Sequence, residues 1–263
     1  MGESGEYVTD PNSAAMLAGR RALVTGASRN LGAAIAAALA RHGARVAINY
    51  RGSSAEAEAV VAELRKHGPG HLAVFGDVSH SDQVSEMVES TISVLGGLDI
   101  LVNNAGPYGA TPLSEVNESE WRRVIDTNLK GTWLCTRAAA PHLRRSPDAR
   151  VVNMSAVSAQ VRNRGAYGMA KAAIEVLTEQ LALELADHAT VNAVAPGQIE
   201  ESLADLSSFD QDWAGAVLER TPRGRLVTRT EIGEVVALIC TKPFSSMTGT
   251  TLRLDGGLGL NRF

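Results

Sequence analysis

Short apolar runs alternate with helical spans of about ten residues or more along almost the whole chain, and this alternation limits the fold more than any other feature. Arg21–Thr25 is an apolar run ending in a turn, and Leu31–His42 follows with helical spacing and a stop at Gly43. The pairing repeats as strand Arg45–Tyr50, helix Ala55–His67 stopped by Gly68-Pro69-Gly70, strand His71–Gly76, helix Ser81–Leu95 and strand Ile100–Asn103. Helix Glu118–Leu143, expected to break near Gly131 and to end around Pro141, precedes strand Val151–Ser155. Helix Tyr167–Ala186 precedes strand Thr190–Val194, and helix Glu231–Ile239 precedes strand Thr251–Leu254. Strands separated by helices pair in parallel through right-handed crossovers, which predicts an α/β doubly wound parallel sheet with helices on both faces. Ligands of such sheets sit at the carboxyl ends of the strands.

With 263 residues and no recognisable linker, residues 19–263 read as a single domain, preceded by a flexible tail over residues 1–18. The tail carries Glu3, Glu6 and Asp10 without a basic or apolar stretch, so it is not expected to be a signal peptide, and the expected location is cytoplasmic. Apolar stretches such as Leu31–Ala40 are far too short to span a bilayer, so no membrane partner is expected. A net charge of −4 and scattered arginines give no footprint for nucleic acid. The local group Arg220, Arg223, Arg225 and Arg229 reads as a solvated loop. Cys135 and Cys240 are too few for a disulfide scaffold or a metal cluster, and both are expected as buried thiols with no metal site. Between Gln198 and Thr230 the strand pattern lapses, and a connection of that length in a compact domain suggests a lid over the substrate.

Two local patterns carry chemistry. The turn after the first strand, Thr25-Gly-Ala-Ser-Arg-Asn-Leu-Gly32, places Gly26 and Gly32 where a backbone could approach a pyrophosphate at a helix N-terminus. Far downstream, Tyr167 and Lys171 stand four apart on one helix face, so a lysine ammonium beside the phenol would favour its ionised form and make tyrosine an acid/base.

Taken together, these residues resemble the short-chain dehydrogenase/reductase family, over nearly all of the chain from about Arg20 onward. Thr25-Gly26 with Gly32 is similar to that family's glycine turn, and Asp77-Val78 to the pair that meets the adenine ring. Asn103-Asn104-Ala105-Gly106, Asn128 in Asn-Leu-Lys-Gly, Tyr167-x-x-x-Lys171 and Pro196-Gly197 follow in the family's order. The resemblance, which extends to the 3-oxoacyl-ACP reductase-like carbonyl reductases, implies a Rossmann-type fold and a homotetramer or homodimer. It makes Tyr167, Lys171 and Asn128 the catalytic residues, with Lys171 also on the cofactor ribose and Asn128 on a relay water. Gly26, Ser28, Arg29, Asn30, Leu31 and Gly32 would cradle the cofactor from the turn, Asn49, Arg51 and Ser53 from the second strand's end, and Asp77, Val78, Asn104, Ala105, Gly106, Pro196 and Gly197 from the others. An acidic residue ending the second strand would select NAD; here Asn49-Tyr50-Arg51 stands there, with Arg29 in the turn, so NADP(H) is expected.

Three departures from the pattern stand out. The turn's middle glycine is Asn30, which requires either negative φ or the left-handed conformation that asparagine tolerates. The family's catalytic serine aligns with Ala156, leaving Ser155 or Ser158 as replacements. The threonine expected after Pro196-Gly197 aligns with Glu201, which would have to turn away, with Ser202 as a substitute. The expected function is NADPH-dependent reduction of a ketone or aldehyde to an alcohol, or the reverse, with the proton from Tyr167. The alternative is an NADP(H)-binding regulator or scaffold of low turnover, because of Ala156.

Overall fold

A computed structural model describes residues 15–109, 111–160, 165–202 and 211–260. Seven strands form one parallel sheet: β1 (Arg21–Val24), β2 (Arg45–Tyr50), β3 (Leu72–Phe75), β4 (Ile100–Asn103), β5 (Ala149–Met154), β6 (Ala189–Pro196) and β7 (Thr251–Leu254), in the spatial order 3-2-1-4-5-6-7. The order reverses between β1 and β4, so the crevice above their carboxyl ends is where a ligand is expected.

Because both faces are covered, strand residues are apolar in both directions. Ala22 and Val24 of β1, Ile100 and Val102 of β4, and Val152 and Met154 of β5 enter one buried cluster. They meet Ile35 and Leu39 of α1 (Asn30–Arg41), Ala57 and Val61 of α2 (Ser54–Leu64), and Ile232 and Val236 of α8 (Arg229–Ile239). The alternate residues Leu23, Leu101 and Val151 face the other way. They pack on α3 (Ser81–Leu95), α5 (Gly131–Leu143) and α6 (Gly165–Glu184) through Met87, Leu134 and Leu181. Each of the valine, leucine, isoleucine and methionine side chains among them contributes about 1.5–3 kcal/mol by leaving water. Two further helices, α4 (Glu118–Ile125) and α7 (Gln211–Glu219), lie in the segments after β4 and β6.

Local chemistry sets the ends. Ser53 caps α2 through Glu56 N at 3.2 Å, Asn117 caps α4 through Glu120 N at 2.9 Å, and Thr228 with Glu231 forms a reciprocal capping box on α8. The helix expected over 118–143 is interrupted as anticipated, by a π segment at Asp126–Lys130 that ends at Gly131. It runs past Pro141 to Leu143, because a proline in the last turn forfeits one backbone bond while burial of Leu143 repays it. Cys135 and Cys240 are buried free thiols, each pushed up to about 12 by burial. Among the described residues no helix is long and apolar enough to cross a membrane, and no cluster could hold a metal ion. Of the lid expected over 198–230, residues 203–210 lie outside the described residues, as does most of the 1–18 tail.

Candidate active site

Thr25, the residue after β1, holds the glycine turn against the end of β4. Its hydroxyl oxygen accepts from Asn104 N (3.0 Å) and Ala105 N (3.1 Å), while Asn104 Nδ2 donates back to the carbonyls of Thr25 (2.9 Å) and Gly26 (3.0 Å). Across the turn, Asn49 Oδ1 accepts from Gly26 N at 3.1 Å and its Nδ2 donates to Gly76 O at 2.9 Å, so one buried amide links the turn to the ends of β2 and β3. Gly26 has φ +62, and a Cβ on it would stand 2.8 Å from Ala105 Cα; a Cβ on Gly32 would stand 2.6 Å from Asn104 Nδ2. Only glycine permits approaches this close. Asn30 takes the left-handed conformation, φ +52, the sole non-glycine residue to do so among those described.

From β4 a second buried polar chain crosses the sheet. Asn103 Nδ2 donates to Asn153 Oδ1 (2.9 Å), its register partner on β5, and to Thr136 Oγ1 (3.0 Å) on α5; Asn153 Nδ2 reaches Thr178 Oγ1 (2.9 Å) on α6. These bonds tie α5 and α6 to the carboxyl ends of the strands. The π segment brings Asn128 to a fully buried position, where Nδ2 donates to Pro107 O (3.0 Å) and Val124 O (2.9 Å). Its Oδ1 has no hydrogen-bond partner among the described residues.

All the residues expected to hold the cofactor line one cleft of about 610 Å³, Tyr167 and Lys171 with them. Asn128 alone lies behind that wall. Sequence reasoning missed Glu56, Thr127, Met154 and Ile199, which also line it and carry no motif. Arg29 is exposed in the cleft and its guanidinium has no hydrogen-bond or ionic partner among the described residues, whereas Arg51 pairs with Asp77 at 3.2 Å. Burial works to raise the Asp77 carboxyl, but hydrogen bonds from Ser79 and the Arg51 guanidinium outweigh it and hold the group below the usual carboxylate range.

Tyr167 and Lys171 do share a face of α6, yet their contact differs from the expected one. Lys171 Nζ lies over the Tyr167 ring, 5.4 Å from its centroid, and donates to Met154 O at 2.8 Å. A lysine this buried needs an acceptor, and the carbonyl ending β5 supplies it. Burial lowers Lys171 to about 7. Tyr167 is raised above an ordinary phenol, first by burial and then by Tyr108, whose ring meets it edge-on at 5.0 Å between centroids. In this arrangement burial dominates, and the lysine over the ring does not bring the phenol back to its ordinary range.

The departures resolve as follows. Ala156 lines the cleft. Ser155 is buried and its hydroxyl lies 2.8 Å from Glu175 Oε1 and 3.2 Å from Lys171 O, turned into α6, while Ser158 sits in a 3-10 turn outside the cleft lining. Gln160 binds the same carboxylate of Glu175 at 2.8 Å. Glu201 does turn away, accepting from Arg229 N at 3.1 Å at the start of α8, and Ser202 is engaged by the Arg229 guanidinium at 3.3 Å. Of the arginine group, Arg225 pairs with Glu231 at 2.7 Å.

Residues 26–259 match a family model described as enoyl-(acyl carrier protein) reductase. The 3-oxoacyl-[acyl-carrier-protein] reductase FabG of Staphylococcus aureus is 40% identical over 242 residues, covering 91% of this chain and 98% of that protein. The corresponding reductase of a Synechocystis species is 37% identical over 241 residues, 90% of this chain and 96% of that protein. Among solved structures, a putative short-chain alcohol dehydrogenase from Sinorhizobium meliloti superposes with a TM-score of 0.89 at 34% identity, over 95% of this chain and all of that one. A short chain dehydrogenase from Burkholderia cenocepacia in complex with NADP gives 0.85 at 34%, over 92% of this chain and 99% of that one. With the clamped glycine turn and the tyrosine and lysine in one cleft, these likenesses place the chain in the short-chain dehydrogenase/reductase family of oxidoreductases.

Proposed function

We propose that this enzyme reduces a ketone carbonyl with NADPH, and that the ketone is of the 3-oxoacyl thioester class. One observation carries the reading: Tyr167 and Lys171 line the same cleft as the glycine turn, so a phenolic proton donor faces the space a dinucleotide would fill. The residues fit that cofactor. Gly26 and Gly32 let the turn pack closely on Ala105 and Asn104 at the N-terminus of α1, and the unpaired Arg29 guanidinium stands where a 2′-phosphate would be met, with Arg51 and Ser53 beside it. When bound, NADPH supplies the hydride.

The protein's own groups do the rest. Tyr167 keeps its proton through neutral pH because burial raises it, which suits an acid that protonates the forming alkoxide. Lys171, held by Met154 O next to that ring, provides positive charge against the tyrosinate left behind. Asn128 fixes Pro107 and so shapes the wall opposite α6. Glu175 holds the segment that follows β5 through Ser155 and Gln160. In keeping with the family, we take the protein to act as a homo-oligomer in the cytoplasm, with residues 198–230 closing over the substrate.

The test is NADPH oxidation with acetoacetyl-CoA, and with a trans-2-enoyl-CoA because the matching family model is described as an enoyl reductase. Turnover of the ketone, lost by at least about 10³-fold in Tyr167→Phe with NADPH binding intact, is the expected result. Unchanged turnover in that variant rejects the role of Tyr167. Turnover of the enoyl substrate alone replaces the carbonyl reading, and NADPH binding without consumption of either favours a binding protein.

A further inference from the structure

We propose that Tyr108 is the second hydroxyl at the reaction centre, donating a hydrogen bond to the substrate oxygen in the role that the side chain of Ala156 cannot fill. The proposal rests on the carbonyl-reductase reading above. Reduction of a ketone builds negative charge on one oxygen, and a single phenol can deliver the proton but stabilises that charge from one side only. A second preorganised donor at such an oxygen is worth about 10²–10³ in rate.

Among the described residues, 155–160 offer no such donor. Ala156 has no hydroxyl, Ser155 is turned to Glu175 and the Lys171 carbonyl, and Ser158 lies beyond Ala156 in the 3-10 turn Val157–Ala159. Tyr108 is not itself part of the cleft lining, but it follows Pro107, which is, and its ring lies edge-on to that of the lining residue Tyr167 at 5.0 Å between centroids. It is 54% exposed, so the phenol is open to an incoming substrate.

The backbone around it is held at two points. Asn128 Nδ2 donates to Pro107 O at 3.0 Å and Arg123 Nη2 donates to Tyr108 O at 3.2 Å, so two helical residues fix the loop that aims the ring. A flexible aromatic lip kept only for packing has no need of both clamps. The influence of Tyr108 on the titration of Tyr167, after that of burial, agrees with two phenols presented to one site.

In the step itself the carbonyl carbon gains the hydride, the π pair moves to oxygen, and that oxygen takes the Tyr167 proton, which solvent later restores. Tyr108 keeps its own proton throughout and acts as a hydrogen-bond donor, so the reaction balances with no further reactant.

The experiment compares the full chain with Tyr108→Phe, Ala156→Ser and the double variant, using NADPH and acetoacetyl-CoA. Tyr108→Phe is expected to lower kcat by about 10–10²-fold with the KM for NADPH unchanged, and Ala156→Ser in that background to restore about tenfold. A readout independent of turnover is the ultraviolet titration of tyrosinate in the protein alone. The Tyr167 midpoint, taken as the difference from Tyr167→Phe, should fall when Tyr108 is replaced. A Tyr108→Phe rate within about twofold of the parent, a loss that Ala156→Ser fails to rescue, or an unmoved Tyr167 midpoint overturns the assignment. Full activity in Tyr167→Phe is a different outcome: it removes the reductase mechanism, and the role of Tyr108 falls with it.

Discussion

The glycine turn and the residues Ser155, Ala156 and Tyr167 border the same cleft, but the two sides are built on different terms. The turn is held by backbone-directed bonds from Thr25, Asn49 and Asn104, and its glycines are required by contacts closer than any Cβ allows. The segment before Tyr167 is held by side chains that meet on Glu175, and it departs from the family pattern at Ala156. The difference teaches that close contacts at Gly26 and Gly32 leave no room for a side chain, whereas the reaction side is held by side chains that a substitution can rearrange.

That contrast can be broken most directly at Gly32. A Cβ there would collide with Asn104 Nδ2 and Ala27 Cα, at 2.6 and 2.8 Å, so Gly32→Ala should weaken NADPH binding by about 10²-fold, the equivalent of roughly 3 kcal/mol of overpacking. Calorimetric titration checks it, and affinity within a few fold of the parent would show the turn to be more pliant than its contacts imply.

A smaller effect sharpens the comparison within the cofactor side. The Arg29 guanidinium has no partner among the described residues while Arg51 shares its charge with Asp77, so Arg29→Ala should reduce the preference for NADPH over NADH by about tenfold and Arg51→Ala by less. Ratios of kcat/KM for the two cofactors decide it; the reverse ranking would mean that Arg51 leaves Asp77 to bind the phosphate.

The smallest effect belongs to the reaction side and is a pH dependence. Burial drops Lys171 to about 7, below an ordinary lysine, so its charge is present on the acid side of that value and is lost as pH rises through it. Tyr167, raised by burial, remains protonated over the same range. The rate of carbonyl reduction should therefore fall several-fold between about pH 7 and pH 9, whereas NADPH affinity, set by the glycine turn and Arg29, should hardly change. A flat rate profile would separate Lys171 from the proton transfer.

Much of the fold was legible because it follows from local patterns. The strands at 45–50, 100–103 and 251–254 and the helix at 81–95 have the bounds that alternation and turn residues predict. Ends of the other elements moved by a few residues where tertiary burial outvoted a local stop, as at Leu143 beyond Pro141. Cleft-lining residues with a motif were named for the same reason, and Asn30 adopts one of the two conformations its chemistry allowed. Glu56, Thr127, Met154 and Ile199 were not, since a residue recruited by position in space leaves no spacing to read.

The amino-acid order by itself determined the parallel sheet, the glycine turn and the one helix face shared by Tyr167 and Lys171, because periodicity and steric demand act between near neighbours. Only the folded arrangement decided where the charges and hydroxyls went. Lys171 bonds to Met154, Ser155 to Glu175, Glu201 to the start of α8, and Tyr108 lies against Tyr167. A buried polar group takes whichever partner packing brings within reach, and that partner can be far away along the chain.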